Sequence, residues 1–264
     1  MLTRRTIKFV HSLAQKKYRD DSLCFVAEGR KLVYDLLAAG MKAEGLYATD
    51  DFLASLPASL LPASLAVHPC TVAELAALSA LASPPKGGGA ICVFHQRPQV
   101  SATATEAIGN TLSIALDGVQ DPGNLGTIIR TADWFGIHRI FASHETADVY
   151  SPKVVQSTMG ALARVEVIYT DLPSFISSLP ESTPVYGTFL DGDNCYTAPI
   201  ERPEAGLLVM GNEGNGISAQ VADGVTHRLY IPPFPDSSCG SESLNVASAT
   251  AILCAELRRR IRAK

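Results

Sequence analysis

Residues 116–136 read LDGVQDPGNLGTIIRTADWFG, a short apolar run that passes through a loop into a helical pattern. The apolar residues of the second half recur at i, i+3, i+4 and i+7, which predicts a helix with one buried stripe: Leu125, Ile128, Ile129 and Ala132. Arg130 falls roughly opposite that stripe, so it faces a ligand or solvent. Asn124 stands where an N-cap is expected. Taken alone, the stretch is equally compatible with an ordinary capped helix that carries an exposed arginine.

Two further loops follow apolar runs later in the chain. Residues 207–218 read LLVMGNEGNGIS, in which Gly211, Gly214 and Gly216 allow a sharp turn and a close approach to a ligand. The spacing differs from the GxGxxG dinucleotide fingerprint, and Glu213 interrupts it. Residues 231–245 read IPPFPDSSCGSESLN and lead into an apolar helical pattern. Ser243 is also a plausible N-cap for that helix, and Glu213 an ordinary surface carboxylate.

Strand-like runs alternate with helical patterns from residue 112 onward. The predicted strands are residues 112–117, 139–143, 165–169, 185–190, 206–211 and 228–232, and the predicted helices are residues 125–135, 152–162, 172–179 and 243–260. This alternation predicts an α/β fold with a mostly parallel sheet covered on both faces. Ligands of such sheets bind at the loops that follow the strands, which is where the three loops lie.

Composition restricts the class of protein. The chain has 264 residues, 47% of them hydrophobic, which is typical of a globular protein. No apolar run approaches the ~20 residues that span a bilayer, and the first residues lack the pattern of a secretory signal. The six cysteines form no CxxC pair or His/Cys cluster, so we expect neither disulfides nor a bound metal. These features favour a cytoplasmic protein with no membrane association.

Charge is unevenly distributed along the chain. The formal net charge is −4, yet residues 1–31 hold eight lysines and arginines against three acidic residues. A local basic surface can neutralise phosphates while the remainder stays acidic, although a basic solvated helix face is the simpler alternative.

The chain divides near residues 84–107, where SPPKGGGA and RPQVSATATEA have loop compositions. Upstream we expect a basic helix around residues 8–17, a strand at 23–26, a helix at 29–39, a short strand at 46–48, a helix at 72–81 and a strand at 91–96. The predicted organisation is a small α/β domain at residues 1–97, a linker at 98–107 and a larger α/β domain at 108–264.

The three loops, in this order, resemble the signature of the SpoU/TrmH family of S-adenosylmethionine-dependent RNA ribose 2′-O-methyltransferases, which belong to the SPOUT class. The resemblance implies a parallel-sheet domain with a C-terminal trefoil knot, a homodimer, and rRNA or tRNA as substrate, with rRNA slightly favoured. The first domain resembles, more loosely, the family's ribosomal-protein-like substrate-binding domain. The third loop is a few residues longer than is usual in the family.

The resemblance also implies roles for individual residues. The catalytic positions are Arg130, Asn124, Glu213, Ser243 and Asn245. The methyl donor, S-adenosylmethionine, is contacted by the backbone of Gly211, Ile231 and Leu244, and no metal is required. Because arginine stays protonated in proteins, we expect Arg130 to hold a phosphate or the attacking oxygen rather than act as a base, with Glu213 fixing it by an ion pair.

For RNA binding, the basic N-terminal segment supplies the candidates Lys16, Lys17, Arg19, Arg30 and Lys31. A nicotinamide-dependent dehydrogenase and a phosphate-loop NTPase are disfavoured, because their glycine and lysine patterns are missing. The remaining alternative is a non-catalytic RNA-binding relative. A degenerate site of that kind is expected to lose Arg130 or Asn245, and both are present.

Overall fold

The computed structural model describes residues 2–79, 81, 89–98, 108, 111–234 and 243–262. The chain forms two compact units, one made of Met1–Pro98 with Asp148–Arg164 and the other of Gln99–Ala147 with Val165–Lys264. Apart from Pro98, the predicted linker lies outside the described residues.

The described strands are β1 Cys24–Glu28, β2 Ala43–Ala48, β3 Ala66–Pro69, β4 Ala90–His95, β5 Leu112–Leu116, β6 Arg139–Ala142, β7 Glu166–Tyr169, β8 Val185–Asn194, β9 Gly206–Met210 and β10 His227–Tyr230. The described α-helices are α1 Arg4–Ser12, α2 Lys16–Ser22, α3 Arg30–Ala38, α4 Asp50–Ser55, α5 Val72–Leu78, α6 Pro122–Trp134, α7 Pro152–Ser157, α8 Leu172–Ser177, α9 Ala219–Ala222 and α10 Val246–Arg262. Within this part of the chain, no helix is long and apolar enough to cross a membrane.

The first unit contains a four-stranded sheet in the order β1-β4-β2-β3, antiparallel except for the β2–β3 pair. Helix α3 buries its predicted stripe of Leu32, Val33, Leu36 and Leu37. A second set of apolar side chains, including Val10 and Leu13 from the N-terminal segment and Leu75 and Leu78 from α5, packs beneath the sheet.

The single basic helix predicted around residues 8–17 is wrong, because the segment forms two helices, α1 and α2. Leu13 ends α1 with its side chain buried, and Gln15 is extended where α2 begins. The Arg19 guanidinium donates to the carbonyls of Leu13 and Ala14, at 2.7 and 2.9 Å, and so satisfies acceptors that the helix break leaves open. Helix periodicity alone does not reveal such a break.

The second unit contains a six-stranded sheet in the order β10-β8-β9-β5-β6-β7, and each neighbouring pair is parallel. The predicted parallel sheet is therefore confirmed. The two central strands β5 and β9 are buried along their whole length, as expected for strands covered on both faces. Helix α6 buries the predicted stripe completely and packs against α10.

Several predicted boundaries differ from the observed ones. Strand β8 continues to Asn194, and its pairing with β10 is interrupted between Arg228 and Leu229. Helix α7 ends at Ser157, and a 3₁₀ turn at Ala161–Ala163 follows Gly160, whose φ is +90°. Helix α10 begins at Val246 rather than Ser243. The later start of α10 follows from Asn245, whose Oδ1 accepts the backbone N–H groups of Ala247 and Ser248 and so caps the helix without being helical itself.

Candidate functional site

The loops that follow β5, β9 and β10 leave the sheet at the same edge, because all three strands are parallel members of one sheet. Asp117 is the first residue after β5, Gly211 the first after β9, and Ile231 the first after β10. The carboxyl edge of a parallel sheet is where ligands bind in this class of fold. The predicted donor contacts at Gly211 and Ile231 therefore occupy a suitable position.

Helix α6 starts three residues earlier than predicted. Asp121 is the N-cap, its carboxylate accepts the backbone N–H of Asn124 at 2.9 Å, and Pro122 occupies the first helical turn. The predicted N-cap role of Asn124 is wrong, because the carboxylate and the proline together define an earlier start. The Asn124 side chain is consequently free to reach other loops.

Asn124 connects all three loops through side-chain hydrogen bonds. Its Nδ2 donates to Glu213 Oε1 at 2.6 Å, and its Oδ1 accepts from Asn245 Nδ2 at 2.9 Å. The Oδ1 of Asn245 in turn accepts the backbone N–H groups of Ala247 and Ser248, at 3.0 and 3.3 Å. Asn245 is therefore the N-cap of α10, and Ser243 is not.

The partners at both ends of this relay dictate how the two amides are oriented. Backbone N–H groups require the oxygen of Asn245, so its nitrogen must point at Asn124. The ionised Glu213 carboxylate only accepts, so it requires the nitrogen of Asn124. Both requirements are met by one arrangement, which holds three side chains from three loops in a defined geometry. Asn124, Glu213 and Asn245 were predicted to share one site, and the structure joins them by hydrogen bonds.

Arg130 is exposed and projects from α6 on the side away from the buried stripe, as predicted. The predicted ion pair between Arg130 and Glu213 is wrong, because Glu213 bonds Asn124 instead. Within the described residues the Arg130 guanidinium makes no hydrogen bond or ion pair. Its five donors are therefore available to an anionic or oxygen-rich ligand.

The glycine-rich loop after β9 is a tight turn closed on itself. A Cβ on Gly211 would fall on the backbone of Gly216 and Ile217, so only glycine fits there. Gly216 has a φ of +69°, which also favours glycine. Asn212 stabilises the turn: its Oδ1 accepts the N–H groups of Gly214 and Asn215, at 2.9 and 3.2 Å.

Two polar side chains that the sequence prediction missed join the first two loops. Asn212 Nδ2 donates to the carbonyl oxygen of Gly118 at 2.7 Å, and Asp117 Oδ2 accepts the N–H of Ser218 at 2.7 Å. The role of Asn212 could have been predicted from the sequence, since an asparagine in a glycine-rich loop often closes its own turn with its side chain. For Asp117 the sequence offers one indication only, its position directly after a buried strand.

The third loop contributes exposed groups at the mouth of α10. Ser243 and Leu244 are both exposed, and Leu244 stands next to the Asn245 cap. Ile231 is half-buried. Residues 235–242, which include most of the extra length of this loop, lie outside the described residues.

Within the described part of the chain, no group of three His, Cys, Asp or Glu side chains could hold a metal ion. Burial raises the pKa of the Cys254 thiol to about 12, so it stays protonated and unreactive.

Among the predicted RNA-binding cations, Arg19 requires a correction. It is 2% exposed, and its guanidinium donates from Nη2 and Nε to Asp148 Oδ2 at 2.5 and 3.2 Å. Its remaining bonds go to the carbonyls just beyond α1. Arg19 is therefore a buried structural residue that cannot reach a phosphate. The carboxylate of Asp148 compensates the cost of burying its charge.

The other four predicted cations remain exposed but differ in their partners. Lys16 pairs with Asp20 at 3.8 Å, Lys31 with Asp35 at 2.6 Å, and Arg30 with Asp51. Lys17 is exposed and forms no ion pair with a described residue.

Comparison with known proteins gives two matches to family models. The SpoU rRNA methylase family matches residues 111–255, and an MRM3-like substrate-binding domain matches residues 4–87. The chain is 32% identical over 254 residues to the 23S rRNA (guanosine(2553)-2′-O)-methyltransferase RlmP of Bacillus subtilis, covering 96% of this chain and 95% of that protein.

Two solved structures are similar over nearly the whole chain. One is a Porphyromonas gingivalis protein assigned to the TrmH family of RNA methyltransferases, with a TM-score of 0.86, 41% identity and coverage of 98% of this chain and 99% of that one. The other is an AdoMet-bound rRNA methyltransferase from Sinorhizobium meliloti, with a TM-score of 0.84, 31% identity and coverage of 99% and 97%.

Proposed function

This chain belongs to the SpoU rRNA methylase family, and on that premise we propose that it transfers a methyl group from S-adenosylmethionine to a ribose 2′-hydroxyl of RNA, rRNA rather than tRNA. The observation that carries the proposal is the hydrogen-bonded relay of Glu213, Asn124 and Asn245, which joins all three signature loops at the carboxyl edge of the sheet. Two of the relatives named above, those of Bacillus subtilis and Sinorhizobium meliloti, are described as rRNA methyltransferases, which favours rRNA.

The residues present fit a bound methyl donor. Gly211 and Ile231 begin the loops after β9 and β10, and Leu244 lies exposed beside the Asn245 cap. These three positions would hold S-adenosylmethionine through their backbone groups. When bound, the donor supplies a methyl group already activated by its sulfonium charge.

The protein's own part of the reaction is therefore orientation and charge stabilisation. Asn124, Asn245 and Ser243 orient the ribose by hydrogen bonds, and Glu213 holds the Asn124 amide in the required direction. Arg130, protonated and without a partner in the described part of the chain, stabilises the negative charge that develops on the 2′-oxygen as this oxygen gives its proton to bulk water.

Mapping of methyl groups tests this function. The purified protein, unmodified 23S rRNA transcript and methyl-labelled donor are combined in the presence of a chelator, and the modified nucleotide is identified by nuclease digestion and mass spectrometry. We expect a 2′-O-methyl nucleotide. Base methylation, or no methylation with tight RNA binding, would overturn the proposal; the second outcome would support the non-catalytic RNA-binding alternative.

Calorimetry separates donor binding from catalysis. We expect the demethylated product of the donor to bind without added metal, since the donor site consists of backbone and amide groups.

We also propose a homodimer. Trp134 is 85% exposed and lies one turn after Arg130 on the exposed side of α6, the helix that packs against α10. A tryptophan this exposed is typical of the centre of an interface. Along α10, Ala255 is exposed and Ile252 half-exposed, so this helix also presents apolar side chains to solvent.

Three proposals remain. The C-terminal trefoil knot follows from the family resemblance. The domain bounds at residues 1–97 and 108–264, with a linker between them, follow from the loop compositions near residues 84–107. Action in the cytoplasm follows from six cysteines that show no paired spacing in the sequence.

A further inference from the structure

The exposed side of α1 carries positive charge that its own helix does not cancel. Arg4, Arg5 and Lys8 are exposed, and the helix sequence RRTIKFVHS contains no carboxylate. Within the described residues none of these three side chains forms an ion pair or a hydrogen bond. Cations without an internal partner are those that gain most from a phosphate.

The neighbouring helix α2 lacks this property. Its exposed residues include two lysines and two aspartates, so their formal charges cancel, and Arg19 is buried against Asp148. The excess positive charge of the first 31 residues therefore lies mainly on α1, rather than on the cations that the sequence prediction selected.

An aromatic ring lies among the α1 cations. Phe9 is 37% exposed, next to Lys8 in sequence and one turn after Arg5. Stacking on an exposed aromatic ring is available to any base that is not paired in a duplex.

Helix α1 is a fixed support for these side chains. Its opposite side is anchored by Val10, which is fully buried, and by Ile7, which packs on the same apolar cluster. Thr3 caps its first turn by accepting the N–H of Thr6 at 3.1 Å. Rigid placement lowers the conformational cost of binding.

We propose that the α1 face, defined as Arg4, Arg5, Lys8 and Phe9, binds unpaired RNA, with the cations on consecutive phosphates and the Phe9 ring stacked on one base. The inference rests on the proposed function and narrows the substrate to RNA that offers an unpaired segment. A duplex would contact the cations but could not stack on Phe9.

The test uses the full-length protein and a short unstructured RNA, alone or annealed to its complement. For the single strand, Arg5→Ala/Lys8→Ala should weaken binding about tenfold and reduce the salt slope by about 1.4, at about 0.7 per phosphate contact. The control, Lys42→Ala, removes an exposed lysine from another part of the same unit and should leave affinity nearly unchanged.

Phe9→Leu distinguishes stacking from general attraction. It keeps an apolar side chain on α1 and should weaken binding of the single strand about tenfold, since base–aromatic stacking is lost, while duplex affinity stays the same. Equal effects on both RNAs would overturn the stacking role. Circular dichroism and thermal unfolding of each variant show whether α1 and the fold are retained.

Methyl transfer to 23S rRNA, measured in parallel, separates the two proposals. If the parent methylates rRNA but Arg5→Ala/Lys8→Ala binds RNA as the control does, only the α1 face is wrong. If the parent neither binds nor methylates RNA, both proposals fail.

Discussion

Asn245 Nδ2 donates to Asn124 Oδ1 at 2.9 Å, across 121 positions of sequence, while the Oδ1 of the same Asn245 caps α10. One side chain therefore stabilises a helix with its oxygen and orients a site residue with its nitrogen. Substitutions can separate the two tasks.

Asn245→Asp should preserve the cap and destroy the relay. Aspartate is as good an N-cap as asparagine, but it has no donor for Asn124, so the free energy of unfolding should change little. Methyl transfer should fall about tenfold, which corresponds to about 1.4 kcal/mol and is of the order of one lost hydrogen bond. Asn245→Ala should lose both functions and also about 1 kcal/mol of stability. Denaturant unfolding measures the stability of each variant, and methylation assays measure its activity. Equal activity of Asn245→Asp and the parent would show that the relay has no role in orientation.

Arg130→Ala should abolish methyl transfer and leave the fold and donor binding intact. The side chain is exposed and bonded to no described residue, so its removal should change the free energy of unfolding by less than about 0.5 kcal/mol. Arg130→Lys keeps the charge without the planar fork and should retain partial activity. Single-turnover rates and product calorimetry measure these effects; full activity of the alanine variant would exclude a catalytic role.

Trp134→Glu should produce a monomer. The exposed ring is the main apolar group on the outer side of α6, and a charge there would be buried without a partner in an interface. Light scattering of parent and variant at equal concentration gives the mass. A monomeric parent would contradict the homodimer, whereas a dimeric Trp134→Glu would move the interface elsewhere.

Arg19→Ala should destabilise the first unit by about 3 kcal/mol, because the Oδ2 of Asp148 and the carbonyls of Leu13 and Ala14 lose the guanidinium that donates to them. Lys17→Ala, on the same helix but exposed, should cost less than about 0.5 kcal/mol. Urea unfolding compares the two. A stable Arg19→Ala that binds RNA weakly would instead make Arg19 an RNA contact.

Glu256 should contribute stability that is lost in acid. Hydrogen bonds from Arg259, and secondarily from Arg260, lower the pKa of this buried carboxyl from its usual 4.5. A lowered folded pKa means that the contribution is complete above the unfolded value and disappears as pH falls below 4.5 toward the folded one. Glu256→Gln should be less stable than the parent at pH 7, and the difference should shrink at acidic pH. A constant difference in unfolding free energy would contradict this.

The sequence predicted the parts of the fold that depend on local periodicity. The stripe of α6 and the buried runs of β5 and β9 follow from spacing and composition, and the structure confirms them. The start of α6 was predicted wrongly, because Asp121 and Asn124 are both good N-cap residues. Pro122 favours Asp121, since proline is common at the first position of a helix.

Partners distant in sequence were beyond such reasoning. From the sequence, Arg19 was predicted to belong to a phosphate-binding surface. The structure shows that it pairs instead with Asp148, 129 positions away. Likewise, the resemblance placed Glu213 in the site, and charge complementarity led us to expect an ion pair with Arg130. Only the tertiary arrangement shows that the Glu213 carboxylate accepts from Asn124 instead.

The double role of Asn245 has a consequence for the life of the chain. In a polypeptide whose α10 has not yet folded, Arg130, Asn124 and Glu213 are all present, but the Asn124 amide has only the Glu213 carboxylate as a partner. Its second partner, Asn245, is held in place as the cap of α10. On the proposed function, the ability to methylate RNA therefore develops as α10 docks.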